Sequence, residues 1–227
     1  MRLRHFVAAA LTTVLAAPTA LLTTTAPAHA ATATTIVGGT EGKPWIYRSS
    51  STAQQPGVTV YGDRIALSIE VEANGSQVYD GTLTVQRRLP GHGWKTIKTS
   101  DSAYLYDSTT AVGNADYRVL YSGTADYAPT SAGVSAKVQR KLTIKNVGTR
   151  RVVLDGKVAP KYHGKVTIFK QHGKKWRKYK TVRTNKRSHF STPLPAPRRG
   201  KYYWKVEIAS SKAFAKTQSG RFYTYSS

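Results

Sequence analysis

The sequence predicts an all-β chain of two tandem antiparallel β-sandwiches, and three observations carry that expectation. Ile65, Leu67, Ile69 and Val71 alternate with Ala66, Ser68, Glu70 and Glu72, the period-two pattern of a half-buried strand. Short apolar runs of this kind are separated by turn signals such as Asn74-Gly75, with no helical periodicity between them. The whole pattern then recurs in the second half of the chain.

Residues 1–30 read as a secretory signal peptide cleaved after Ala30. Arg2, Arg4 and His5 open it, an apolar run follows from Phe6 to Leu22, and Ala28-His29-Ala30 closes it. Residues 31–57 read as a flexible, Thr- and Gly-rich lead-in, with an edge strand offered by Trp45-Ile46-Tyr47. The first sandwich spans 58–140. After the 65–71 strand, Leu83 and Val85 point inward, Gly91-His92-Gly93 turns the chain, and Trp94 leads the next strand. Tyr117, Val119 and Tyr121 alternate again, and Val134, Ala136 and Val138 close the unit.

The second sandwich, 141–227, starts without a Gly, Pro or Ser cluster, so the two units should be held stiffly. Val152, Leu154 and Val158 match Ile65, Leu67 and Val71. Val166 and Ile168 match Leu83 and Val85, the turn at His172-Gly173 matches the earlier glycine turn, Trp176 matches Trp94, and Tyr179 matches Ile97. Trp204, Val206 and Ile208 match Tyr117, Val119 and Tyr121, and Phe214 matches Tyr127. Leu83, Val85, Tyr117 and Val119 in one unit, and Val166, Ile168, Trp204 and Val206 in the other, are the expected core.

The strands ending at Arg87 and Lys170, the Trp-led strands that follow them, and the aromatic-x-Val strands at Tyr117 and Trp204 resemble the tandem immunoglobulin-like or fibronectin type III-like β-sandwich domains of secreted bacterial proteins. The resemblance covers residues 58 to 227 and implies modules that bind, space or adhere, with no chemistry attached. The antibody-type cysteine pair is absent, because the chain has no cysteine. An exported chain without disulfides must be stable by packing alone, which fits a bacterial secreted protein.

Charge separates the halves. Residues 31–140 hold ten Lys and Arg against nine Asp and Glu, a net of +1, whereas residues 141–227 hold twenty-three against two, a net of +21. Self-repulsion of that size destabilises a small domain, so it points to an anionic partner for the second half.

Catalysis requires titratable groups held together, and here they are sparse. Asp155 and Glu207 are the acids of the second half, and each is read as offsetting neighbouring lysines. His92 and His172 occupy equivalent glycine turns, no histidine pair has metal-ligand spacing, and no serine sits in a nucleophile elbow. Glu70, Glu72 and Asp80 lack the full oxygen set that calcium requires and read as a solvated strand face. The expectation is a non-enzyme without cofactor or metal.

If Val166, Ile168, Tyr179, Trp204 and Val206 point inward, then Lys165, Phe169, Trp176, Lys178, Lys180, Tyr203 and Lys205 point outward on one sheet. Those seven residues are the candidate polymer-binding set. Trp94 stands in the nearly neutral unit at the place of Trp176, so the tryptophan reads first as packing and Phe169, at the place of Gln86, is the better stacking group. The expected partner is an anionic extracellular polymer: cell-wall teichoic acid or acidic polysaccharide, or alternatively extracellular nucleic acid. A third reading is a module or inhibitor for an acidic protein, using the proline-rich loop from Thr192 to Gly200.

Overall fold

The computed structural model describes residues 30–48, 59–148 and 151–225. The signal-peptide reading lies outside them except for Ala30. Residues 31–227 form one compact unit, all-β and with no helix among the described residues.

The first half runs β1 (Thr35–Gly38), β2 (Ile46–Arg48), β3 (Thr59–Val60), β4 (Arg64–Ala73), β5 (Ser76–Val78), β6 (Leu83–Arg88), β7 (Lys95–Ser100), β8 (Tyr104–Thr110), β9 (Ala115–Tyr121), β10 (Thr130–Ala136) and β11 (Val138–Gln139). The second continues with β12 (Lys141–Asn146), β13 (Val153–Ala159), β14 (Lys165–His172), β15 (Lys175–Arg183), β16 (His189–Pro193), β17 (Tyr202–Ile208), β18 (Thr217–Gln218) and β19 (Phe222–Thr224).

In the first half β4 is central to one sheet. It pairs antiparallel with β1 and β2 along one edge and with β5 and β8 along the other. Within the stretch read as a lead-in, β1 and β2 are thus part of this sheet, and Trp45 and Ile46 are buried. The second sheet has the order β10-β9-β6-β7. Asn74 and Gly75 both have positive φ, 51° and 77°, the backbone that a tight β4–β5 hairpin demands. The second half repeats the arrangement with β12-β13-β16 in one sheet and β15-β14-β17 in the other, where β18 and β19 share the free edge of β17.

The duplication extends to individual pairs. Val85 faces Val119 across β6–β9, and Ile168 faces Val206 across β14–β17. The β6–β7 register slips between Val85 and Gln86, and the β14–β15 register slips between Ile168 and Phe169. All eight expected core residues are buried, divided between two hydrophobic cores. Trp204 is fully buried, and its indole N–H donates to Thr224 Oγ1 at 3.0 Å, whose own hydroxyl donates to the Pro195 carbonyl at 2.8 Å. This chain of bonds satisfies a buried donor and ties β19 to β17.

Phe214 departs from expectation: it lies at 6% exposure in the core of the first half, edge-on to Tyr61. Around it the halves exchange backbone bonds, Asn114 N–H to the Ala213 carbonyl and Ala215 N–H to the Val138 carbonyl, both 2.8 Å. Asn114 also donates to the Lys212 carbonyl and accepts from Val138 N–H. The Arg140 guanidinium sits over the rings of Phe214 and Tyr162, at 4.2 and 4.6 Å, and burial pulls its pKa down, against a smaller opposing effect of Tyr162.

Two outcomes follow. Ile168→Asp places an unpaired carboxylate in the second core and should abolish cooperative folding of 141–227, read as loss of slowly exchanging amides there. Phe214→Ala should cost about 3 kcal/mol in chemical denaturation, with exchange protection falling first near Asn114 and Val138. Protection unchanged at those two residues would mean that the joint is not stapled by this ring.

Candidate functional site

The outer face of the β15-β14-β17-β19 sheet is where cations and aromatic rings converge. Pairing places Phe169 beside Lys178 on one flank and Lys205 on the other, Gln171 beside Trp176, and Tyr203 beside Tyr223. The Lys205 ammonium lies 5.2 Å from the Phe169 ring centre and 5.1 Å from that of Trp176. Arg221 sits over Tyr203 at 4.7 Å, and Lys201 over Tyr223 at 4.3 Å. Such cation–ring contacts contribute about 0.5–1 kcal/mol each where exposed and hold the rings and charges in alternation.

Of the seven candidates, Phe169, Trp176, Lys178, Tyr203 and Lys205 come together on this face, and Lys165 lies exposed at the start of β14 on the same side. Lys180 does not join them. The slip at Ile168/Phe169 makes Tyr179 an extra residue, so Lys180 pairs with inward-facing Ile168. Its ammonium instead donates to Thr192 Oγ1 of the other sheet at 3.1 Å. Tyr179 is likewise not a core residue: it is 45% exposed and lies edge-on to Trp204 at 5.1 Å.

Lys205 is on the face but not free. Its side chain is 14% exposed and bonds Glu207 Oε1 at 2.7 Å, while Lys216 bonds Oε2 at 2.9 Å. Burial alone would raise the Glu207 pKa, but hydrogen bonds from Lys205 and Lys216 outweigh it, and the net shift is downward. Lys205 therefore supports the rings, and exposed Lys165, Lys178, Arg183, Lys201 and Arg221 are cations of this face open to a ligand. The sequence reading missed Lys201, Arg221 and Tyr223. The available signal was the alternation of Arg221, Tyr223 and Tyr225 with Phe222 and Thr224.

The first half supplies the comparison. Arg118 occupies the position of Lys205, and it and Arg88 both lie over the Trp94 ring, at 4.4 and 4.6 Å. A cation stacked on the strand-leading tryptophan is thus a packing device common to both halves. The differences are elsewhere. Asp116, paired with Arg88 at 3.0 Å, stands where the second half has Tyr203. Asp107, bridged to Lys98 at 2.5 Å, stands where it has Thr192, and Glu70 where it has Lys157. The asymmetry in charge is therefore made by missing acids as well as by added lysines. No group of three or more His, Asp or Glu side chains able to hold a metal occurs among the described residues. No described helix is long and apolar enough to cross a membrane.

Because the folded pKa of Glu207 is depressed, its contribution to stability is present above the unfolded value near 4.5 and is lost as pH falls through the folded pKa. The denaturation midpoint should drop on acidification below about pH 4.5, and Glu207→Gln should flatten the part of that drop that comes from the second core. An identical acid limb in the variant would show that the Lys205–Glu207–Lys216 cluster does not support the sheet.

No family model matches the chain, and no curated protein matches it. A solved structure described as "Structural insight into host cell surface retention of a 1.5-MDa bacterial ice-binding adhesin" is similar over 83% of this chain and 64% of that one, so the chain spans less than two thirds of its length. The identity is 10% and the TM-score 0.27, values too low to carry any inference about what the chain does.

Proposed function

We propose that this is a secreted, non-enzymatic protein of two tandem immunoglobulin-like sandwiches, 58–140 and 141–227, whose basic second half attaches it to an anionic extracellular polymer, teichoic acid or acidic polysaccharide. The observation that carries this reading is the difference between two copies of one scaffold. Where the first half neutralises its cations with Asp107 and Asp116, the second has Thr192 and Tyr203, and its exposed lysines and arginines are left facing solvent beside rings.

Several features support the parts of the proposal. The N-terminal charge, apolar run and Ala-x-Ala site support export. The two-sheet layering of each half, with the parallel β3–β11 edge pairing in the first, supports the immunoglobulin-like assignment. Glu207 is held by two lysines, which supports a structural role for it over an acid–base one. Lysine and arginine bind phosphate and carboxylate by charge-assisted hydrogen bonds. The ring-and-cation alternation favours one second reading, single-stranded nucleic acid, since bases stack on such rings.

Affinity for a polyanion should fall log-linearly with salt through counterion release. Changing Lys165, Lys178, Lys201 and Arg221 to Gln should flatten the slope by about 3 for a single-stranded nucleic acid, at roughly 0.7 per contact. Changing Lys157, Lys161, Lys186 and Lys212, exposed away from this face, should flatten it less. Retention of both variants on isolated cell wall, on heparin and on single-stranded DNA across a salt series decides the matter. Equal losses would mean a diffuse field without a site, and salt-independent retention would remove the polyanion reading.

A further inference from the structure

The first half has its own exposed aromatic surface, on the opposite kind of sheet and with the opposite local charge. Tyr79, Tyr104 and Tyr106 are 62%, 39% and 55% exposed, and their ring centres are spaced 6.3 Å and 6.3 Å in sequence. Pairing sets Tyr104 beside Glu70 and Tyr106 beside Ser68 on the outer face of β4 and β8. The Tyr106 hydroxyl donates to Glu70 Oε1. Thr40 Oγ1 bonds Ser68 Oγ at 2.8 Å, and Glu72 follows two residues further along the face. Neither Glu70 nor Glu72 forms an ion pair among the described residues.

Exposed large rings in a contiguous group mark interaction surfaces. In the second half the same positions hold His189 and Ser191 in place of Tyr104 and Tyr106, with Lys157 in place of Glu70. The surface is therefore peculiar to the first half and is not a requirement of the scaffold.

We infer that this Tyr79–Tyr104–Tyr106 surface, with Glu70 and Glu72, binds an uncharged, hydroxyl-rich polysaccharide. Charge selects the occupant. A polyanion is repelled by two carboxylates that have no ion-pair partner among the described residues, and a polycation by the net +22 of residues 31–227. An uncharged ligand meets neither penalty. Carboxylates are acceptors only, and the exposed tyrosine hydroxyls both donate and accept, which matches a ligand made of hydroxyl groups. Tyrosine rings cover the apolar C–H faces of such a ligand at low entropic cost. The rings are turned 78° and 47° to one another, so they do not form one flat platform. A winding soluble chain can present a face to each in turn, whereas a flat crystalline polymer surface cannot.

This inference stands apart from the polyanion reading, and its test separates the two. Binding of the full chain to immobilised soluble neutral polysaccharides (a β-glucan, a mannan and dextran) is measured in high salt, which silences the basic face. At least one should be retained with little salt dependence, and crystalline cellulose should not. The Tyr104→Ala/Tyr106→Ala variant should weaken retention about tenfold or more per ring lost, and Glu72→Gln should weaken it less. The four-Gln variant of the basic face should bind as the parent does. These tyrosines are exposed, so folding is checked by an unchanged denaturation midpoint, and Tyr106→Phe, which keeps the ring, should retain most binding. No retention on any neutral polysaccharide overturns the inference even if heparin binding persists. So does equal loss in the basic-face variant, or sedimentation showing a dimer that the tyrosine variant abolishes.

Discussion

Which charged side chains β15 contributes to the second half's outer face depends on one irregularity, the register slip between Ile168 and Phe169. A strand alternates its side chains strictly, so an extra residue on β15 reverses the face of everything beyond it. Trp176 and Lys178 lie on one side of the slip and keep company with Phe169 and Lys205. Lys180 lies on the other side and crosses to Thr192. The same slip in β6–β7 sends Lys98 across to Asp107. The bulge thus acts as a staple between sheets in both halves, and only its partner differs.

Viewed on this common frame, the +21 of the second half is a statement about partners withheld. Buried or half-buried cations are still provided for: Lys205 has Glu207 and two rings, Lys170 lies 3.1 Å from the Tyr202 centre, and Arg140 lies between two aromatic rings. Exposed Lys165 and Lys178 on the outer face have no ion-pair partner among the described residues. A surface that satisfies its interior charges and leaves its exterior ones open can exchange counterions for a polymer at little structural cost.

The joint between the halves gives that asymmetry a geometric consequence. Phe214 belongs by sequence to the second half and by packing to the first core, and Val138, Asn114 and Ala215 bond across the junction. If those bonds hold the junction stiff, the basic face of one half and the tyrosine face of the other would keep a constant relation, and two contacts to a mixed matrix would reinforce each other through effective concentration.

Period two was enough to read β4, β6, β9, β13, β14 and β17, the duplication and the eight core residues, though not β1, β16, β18 or β19, because alternation and burial are local consequences of a pleated backbone. Composition alone was enough to read the charge imbalance. What lay beyond the sequence was anything decided by a partner from a distant strand. Lys180 and Tyr179 changed faces because a bulge has no period of its own to read. The pairing of Lys205 with Glu207, two residues on, was within reach of the sequence, where Glu207 reads as offsetting neighbouring lysines, but the arrival of Lys216 at the same carboxylate from the approach to β18 was not. Phe214 found the other core because a loop's destination is set by the cavity that accepts it. The pairing of Tyr203 with Tyr223, and of Tyr104 with Glu70, likewise exists only once β17 meets β19 and β4 meets β8, since register is a tertiary property of two strands and is written in neither one alone.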